Sequence, residues 1–327
     1  MEIVVSGIRP TGNLHLGNYF GAVKSFLKMQ DEYTCFFFIA DWHSLTTHPH
    51  PENLRQRVKI VLAEYLACGL DPEKATIYVQ SDVREVAELY LYLNMNAYLG
   101  ELERVPTFKE KVRSQPENVN AGLLTYPTLM ASDILIHKAV KVPVGKDQEQ
   151  NMEMARKYAR RFNHIYEVEF FPEPASFHLS EKAVKVPGLD GSGKMGKSEG
   201  NALYLIDDEK TIHKKVMQAV TDSGPTEPNT EKPEPIQNLF TMMEIVSGED
   251  TYNYFNDKYN NCEIRYGDMK KQLAADIHTF CAPIRERILE MLADDVFLNK
   301  VAQTGAEKAS ESAAKTLTEV RQIIGFS

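Results

Sequence analysis

Ser6-Gly7-Ile8-Arg9-Pro10-Thr11-Gly12-Asn13-Leu14-His15-Leu16-Gly17-Asn18-Tyr19 is the stretch on which the fold turns. Ahead of it, Ile3-Val4-Val5 is a β-branched run. Behind it, Tyr19-Phe20-Gly21-Ala22-Val23-Lys24-Ser25-Phe26-Leu27 repeats apolar residues at helical intervals. The pattern predicts a strand, a glycine-punctuated turn and a helix. Such a corner suits a nucleotide, because Gly12 and Gly17 let backbone pass close to a ligand and the free N–H groups of the first helical turn favour phosphate. His15 and Asn18 add side-chain donors. Taken alone, the corner also reads as an ordinary βα turn, and its spacing is not the G-x-G-x-x-G of dinucleotide binders.

Working outward, Thr34-Cys35-Phe36-Phe37-Phe38-Ile39-Ala40 is a continuous apolar run ending at Asp41, as expected of a strand buried on both faces. Pro51 to Cys68 reads as an amphipathic helix ended by Gly69, and Ala75 to Ser81 as a third strand. Alternating strands and helices predict an α/β fold, a Rossmann-like doubly wound parallel sheet whose ligands sit at the carboxyl ends of the strands. His43, at that edge, is either a core histidine or a site residue. Val86 to Leu99 is apolar all round and predicts a core helix or a subunit contact. From Asp207 onward the pattern is helical (210–219, 236–245, 252–259, 269–292 and 295–324), broken by a Pro- and Thr-rich surface loop at 221–235. The expected division is a Rossmann-like domain over 1–186, a loop and linker over 187–206, and a smaller α-helical domain over 207–327.

With 327 residues, 43 % hydrophobic and 25 % charged, the composition is that of a globular protein with room for a large core. No apolar run is long enough to span a bilayer, and the N-terminus enters a strand without the features of a secretory signal, so a cytoplasmic location is expected. Cys35, Cys68, Cys262 and Cys281 form no C-x-x-C pair and read as reduced thiols. A net charge of −9 excludes a protein that coats DNA or RNA through a uniformly basic surface, though not one with a local basic track.

Three further stretches carry chemistry. In Tyr126-Pro127-Thr128-Leu129-Met130-Ala131-Ser132-Asp133-Ile134-Leu135, helical spacing puts Tyr126, Met130 and Asp133 on one face. An acid on an apolar face needs a donor, and an indole N–H, with Met130 against the ring, would satisfy it. Val142-Pro143-Val144-Gly145-Lys146-Asp147-Gln148 runs from a strand towards a helix starting near Asp147, which would serve as its N-cap. Gly188-Leu189-Asp190-Gly191-Ser192-Gly193-Lys194-Met195 departs from a P-loop at Met195, where Ser or Thr should bind magnesium, and no helix follows. Its Gly, Ser and Lys content predicts a loop that folds over a triphosphate.

His15-Leu16-Gly17-Asn18 resembles the HIGH motif of class I aminoacyl-tRNA synthetases, and Lys194-Met195-Gly196-Lys197-Ser198 resembles their KMSKS loop, with Gly196 in place of its first serine. Tyr126 to Leu135 resembles the substrate-side helix of the tryptophanyl-tRNA synthetases, and the likeness covers essentially the whole chain. The resemblance implies amino-acid activation with ATP and Mg2+, followed by transfer to tRNA(Trp) by a homodimer. It implies catalytic roles for His15, Asn18, Lys111, Lys194, Lys197 and Ser198. The implied tryptophan site comprises Gly7, Arg9, His43, Tyr126, Met130, Asp133, Val142, Val144 and Gln148. The implied ATP site comprises Arg9, Thr11, Gly17, Asn18, Gly145, Asp147, Lys194, Met195 and Lys197. Asn151 stands where family members commonly carry His. Some relatives hold an iron-sulfur cluster on several cysteines, but Cys262 lacks clustered partners, so no cluster and no protein-bound metal are expected. A tyrosyl enzyme, a non-catalytic tRNA- or amino-acid-binding paralogue and a P-loop NTPase are the competing readings, and neither DNA nor a membrane is an expected partner.

Overall fold

A computed structural model describes residues 1–145, 148–177, 185–197 and 199–326. The two apolar runs become adjacent parallel strands, β1 (Ile3–Ile8) and β2 (Thr34–Ile39), in register from Ile3 opposite Thr34 to Ile8 opposite Ile39. β3 (Thr76–Val79) pairs outside β2, while β4 (Lys141–Pro143) and β5 (Ala175–Phe177) extend the sheet beyond β1. Among the described residues the order is β3-β2-β1-β4-β5, all parallel. The chain thus builds outward from β1 on one side, then crosses to the other. The resulting switch point at the carboxyl end of β1 is where open α/β sheets leave a crevice. Strand geometry explains the unbroken hydrophobicity of β2: Cys35, Phe37 and Ile39 face one core, and Phe36 and Phe38 the other.

Helices cover both faces. α1 (Lys24–Glu32) and α2 (Pro51–Ala67) contribute to the first core, and α3 (Glu85–Met95) to the second. α4 (Pro106–Ser114) has no buried residue, whereas α5 (Tyr126–Leu135) and α6 (Glu149–Ile165) pack beneath the second face. The helix expected over 86–99 stops earlier because the Asn96 side-chain amide donates to the Tyr92 carbonyl at 3.1 Å, diverting the ladder, and a separate turn forms at Leu99–Leu102.

The C-terminal part contains α7 (Glu209–Met217), α8 (Glu234–Val246), α9 (Glu249–Asn260), α10 (Tyr266–Ala293) and α11 (Asp295–Ile323). α7 to α10 share the first core with α1 and α2. α11 instead returns to the sheet and packs along β3, placing Ala309, Ala313, Leu317 and Val320 in the second core. The architecture is a Rossmann-like parallel sheet followed by a helical region.

Candidate active site

The corner after β1 forms as its residues dictate. His15 is the N-cap of a single turn, Leu16–Asn18: its Nδ1 accepts from Asn18 N–H at 3.2 Å, and Asn18 Oδ1 accepts from His15 N–H at 3.1 Å. Gly17 makes this possible, since a Cβ there would lie 2.9 Å from the His15 ring. Burial, then the nearby Lys197 and Lys194 charges, push the His15 pKa down to about 4. The imidazole is therefore neutral at pH 7. With Nδ1 accepting, its proton sits on Nε2, the ring's available donor. The wider π-helical turn Tyr19–Val23 follows, with the Tyr19 and Phe20 rings against Phe280 of α10.

The lysine-bearing loop closes onto the same corner. Tyr204 pairs antiparallel with His15, flanked by Leu16 N–H to Leu203 O and Leu205 N–H to Leu14 O, each 2.9 Å. Asn201 is buried and ties the loop together. Its Nδ2 donates to Asp190 Oδ1 at 2.9 Å, Ser192 Oγ at 3.0 Å and the Lys194 carbonyl at 3.2 Å, and its Oδ1 accepts from Gly196 N–H at 2.9 Å. Asn238 of α8 donates to the Gly191 and Ser192 carbonyls. Lys197 Nζ donates to the Gly12 carbonyl at 2.7 Å and to Thr11 Oγ1 at 3.4 Å. Burial pushes its pKa down to about 8, opposed by the Glu64 charge. Lys194 is exposed, whereas Met195 is turned into the core beside Gly17 and its N–H is taken by Val186 O. No side-chain atom of Met195 is thereby presented to a nucleotide.

A second cluster is built on a buried acid. Asp133 on α5 is only 2 % exposed, and its Oδ2 is 2.9 Å from His43 Nε2. Gln80, at the carboxyl end of β3, donates from Nε2 to Oδ1 at 2.8 Å and to Oδ2 at 3.0 Å. Burial raises the Asp133 pKa, opposed by His43 and Gln80. These contacts leave room for a further donor on a carboxylate with about four lone-pair positions. Tyr126 stands 4.5 Å from the His43 ring, centroid to centroid, and Met130 is half-buried on the same helix. Gly7, at the carboxyl end of β1, and Gly145 are exposed, Val142 is in the core and Val144 at its edge. Gln148 occupies the N-cap position of α6, and Asn151 Nδ2 donates to its Oε1 at 2.9 Å. Arg9 is half-buried, and its Nε has no hydrogen-bond partner among the described residues.

The structure therefore gathers Thr11, His15, Gly17, Asn18, Lys194 and Lys197 at one corner, and His43, Tyr126 and Asp133 at a second cluster. Lys111 is not brought into either; it is exposed on α4, whose following segment docks through Asn118 and Asn120 amides on Thr46 O. Asp147 and Ser198 lie outside the described residues. Sequence reasoning missed Gln80, Asn201 and Glu64, whose Oε2 accepts from Leu14 N–H at 2.9 Å. An acid amid the apolar Val61 to Leu70 run was the one available signal for Glu64.

The model of a family described as tRNA synthetases class I (W and Y) matches residues 2–282. A tryptophan–tRNA ligase of Porphyromonas gingivalis is 76 % identical over 326 residues, 100 % of each chain. One from Listeria monocytogenes is 42 % identical over 330 residues, covering 99 % of this chain and 98 % of that protein. A tryptophanyl-tRNA synthetase from Campylobacter jejuni, solved with ADP and tryptophan, superposes with a TM-score of 0.90 at 34 % identity, over 100 % of both chains. Motif order, sheet topology and similarity along the full length agree, and the chain belongs to the class I tRNA synthetases of the tryptophan and tyrosine branch, as an aminoacyl-tRNA ligase.

Proposed function

We infer that the chain activates L-tryptophan with ATP, giving tryptophanyl-adenylate and pyrophosphate, and then esterifies the terminal ribose of tRNA(Trp). The tryptophan carboxylate attacks the α-phosphate as the oxygen–phosphorus bond to pyrophosphate breaks. That carboxylate is ionised at neutral pH, so no general base is required. Rate comes from alignment and from positive charge where the phosphates gain negative charge. His15 Nε2–H and the Asn18 side-chain amide would hold the phosphates, together with Lys194, Lys197 and Ser198. Arg9, Thr11, Gly17, Gly145 and Asp147 complete the proposed nucleotide site, and Met195 would contribute packing. Among the described residues no group of three or more His, Cys, Asp or Glu could hold a metal ion. Mg2+ would arrive with the triphosphate of the incoming ATP.

The indole is assigned to the slot of Asp133, His43, Tyr126, Met130, Val142 and Val144, its N–H donating to Asp133. The amino-acid head group would lie near Gly7, Arg9 and Gln148, the last oriented by Asn151. A slot with a buried acceptor discriminates against rings lacking the donor by on the order of 10⁴-fold. The observation that carries this reading is the convergence of Lys197 and His15 on one turn, because activation needs a cation and a neutral hydrogen-bond donor placed together around a triphosphate. Lys111 is proposed as a contact made once tRNA is bound, and residues 207–327 as the anticodon-binding region. A homodimer is supported by the apolar strip on and after α3, where Met95 is 76 % and Tyr98 62 % exposed. No helix among the described residues is long and apolar enough to cross a membrane; work in the cytoplasm, where tRNA is charged, fits the activity. Amino-acid-dependent ATP–pyrophosphate exchange tests the reading: tryptophan should support it and tyrosine should not, and equal exchange with both would reassign the slot.

A further inference from the structure

Glu64 lies in α2 beneath the corner, 0 % exposed. Its Oε2 takes the Leu14 N–H, and its Oε1 is buried without a hydrogen-bond partner among the described residues. On the other side of the same turn, the Lys197 ammonium holds the Gly12 carbonyl at 2.7 Å. Residues 12–14 are thus gripped between a carboxyl and an ammonium, which act on each other electrostatically. Packing does not account for the acid. A buried ionisable group is costly, and an apolar side chain of similar size would fill the position without that penalty. Around the pair stand Arg57 and Tyr65 on α2, Cys68 at its C-cap, Cys281 on α10, Tyr19 and His15 at the corner, and Lys194 on the loop. Lys197 is the cation whose charge favours ionised Glu64.

We propose that Glu64 is a positioning residue for amino-acid activation: it fixes the His15 corner through Leu14 N–H and, in its ionised form, is the buried counter-charge that delays proton loss from Lys197 as pH rises. This rests on the activation reading given above. Burial raises the Glu64 pKa to about 8 and lowers that of Lys197 to about 8. As pH rises through this range, Glu64 ionises where an isolated Lys197 would lose its proton. The anion then stabilises the ammonium and delays that loss. Without the anion, Lys197 loses its proton at lower pH, and the phosphate contact goes with it.

Glu64→Gln retains an acceptor for Leu14 N–H and removes only the charge. In tryptophan-dependent ATP–pyrophosphate exchange measured from about pH 6 to about pH 10 on the full-length protein, the alkaline limb of kcat should move down by about one pH unit, the effect of losing one nearby opposite charge. KM for tryptophan should stay as in the parent protein. A limb unmoved in Glu64→Gln, or a KM for tryptophan raised as much as that for ATP, overturns the proposal. Lys197→Arg gives a second arm that leaves Glu64 intact. A guanidinium does not titrate in this range, so the limb should vanish; its persistence also overturns the proposal. Absence of tryptophan-dependent exchange in the parent protein would instead sink the activation reading.

Discussion

At the residue scale the slot is governed by how many donors one carboxyl can accept. Asp133 is held by His43 and Gln80 before any substrate arrives, so its orientation is set by side chains from two other segments. A preorganised acceptor of this kind would avoid reorganisation on binding the proposed indole. Asp133→Ala should therefore raise KM for tryptophan on the order of 10- to 100-fold, the worth of one charge-assisted hydrogen bond, with KM for ATP nearly unchanged. Equal effects on both, measured by pyrophosphate exchange, would count against the assignment. His15 is likewise preset at the proposed nucleotide corner: its backbone cap and its depressed pKa together leave a neutral ring with its proton on Nε2.

At the scale of elements, the decisive contacts are those that aim loops. Asn201 spans Asp190, Ser192, Lys194 and Gly196, so the short loop between them is a braced turn whose base is anchored. Asn238 links that turn to α8, giving the helical region a mechanical hold on it. A different fit fixes α11: a Cβ on Gly305 would come within 1.8 Å of the Ile77 carbonyl oxygen in β3. Backbone on both sides leaves nothing flexible to yield. Gly305→Ala should cost about 2–3 kcal/mol, the scale of core overpacking, and lower the thermal unfolding midpoint by several degrees; an unchanged midpoint would show that α11 does not sit against β3. Close by, His137 is buried between the Tyr78 hydroxyl and Ser312 Oγ of α11 with its ring stacked on Phe36, and burial pushes its pKa down to about 3. The neutral ring thus ties the helix to the sheet without a charge.

For the whole molecule, one core runs from the first face of the sheet through α10 into the helical region, while α11 seals the far edge strand. Covering β3 removes an open edge that could pair with another chain. Among the exposed apolar residues, Leu91, Met95, Tyr98 and Leu99 fall close together in the chain, with the Arg161 guanidinium 4.1 Å from the Tyr98 ring centre. A second copy of the chain is the proposed occupant. Met95→Glu should shift a dimer towards monomer in sedimentation equilibrium, because a carboxylate would be desolvated at the contact. A parent protein that is monomeric at micromolar concentration would overturn the dimer.

Local pattern made the order of strands and helices legible, from the alternation of the first 80 residues to the long helices after residue 207. It also exposed the lone acid of α5 as a departure from apolar periodicity, whereas the His15 and Lys194–Lys197 motifs were legible through their resemblance to a known family. The sequence by itself thus determined the element succession and singled out His15, Lys197 and Asp133 as candidates. Only tertiary structure decided which partners those groups meet. Gln80 reaches Asp133 across 53 residues, Glu64 reaches Leu14 across 50, and Lys197 reaches Gly12 across 185. The same holds for α11, whose helical pattern is plain in the sequence but whose docking on β3 depends on a glycine meeting a distant carbonyl. The physical reason is one of range: helix and strand periods record a residue's immediate neighbours, whereas burial, pKa and hydrogen-bond partnership are set by whatever the folded chain brings alongside.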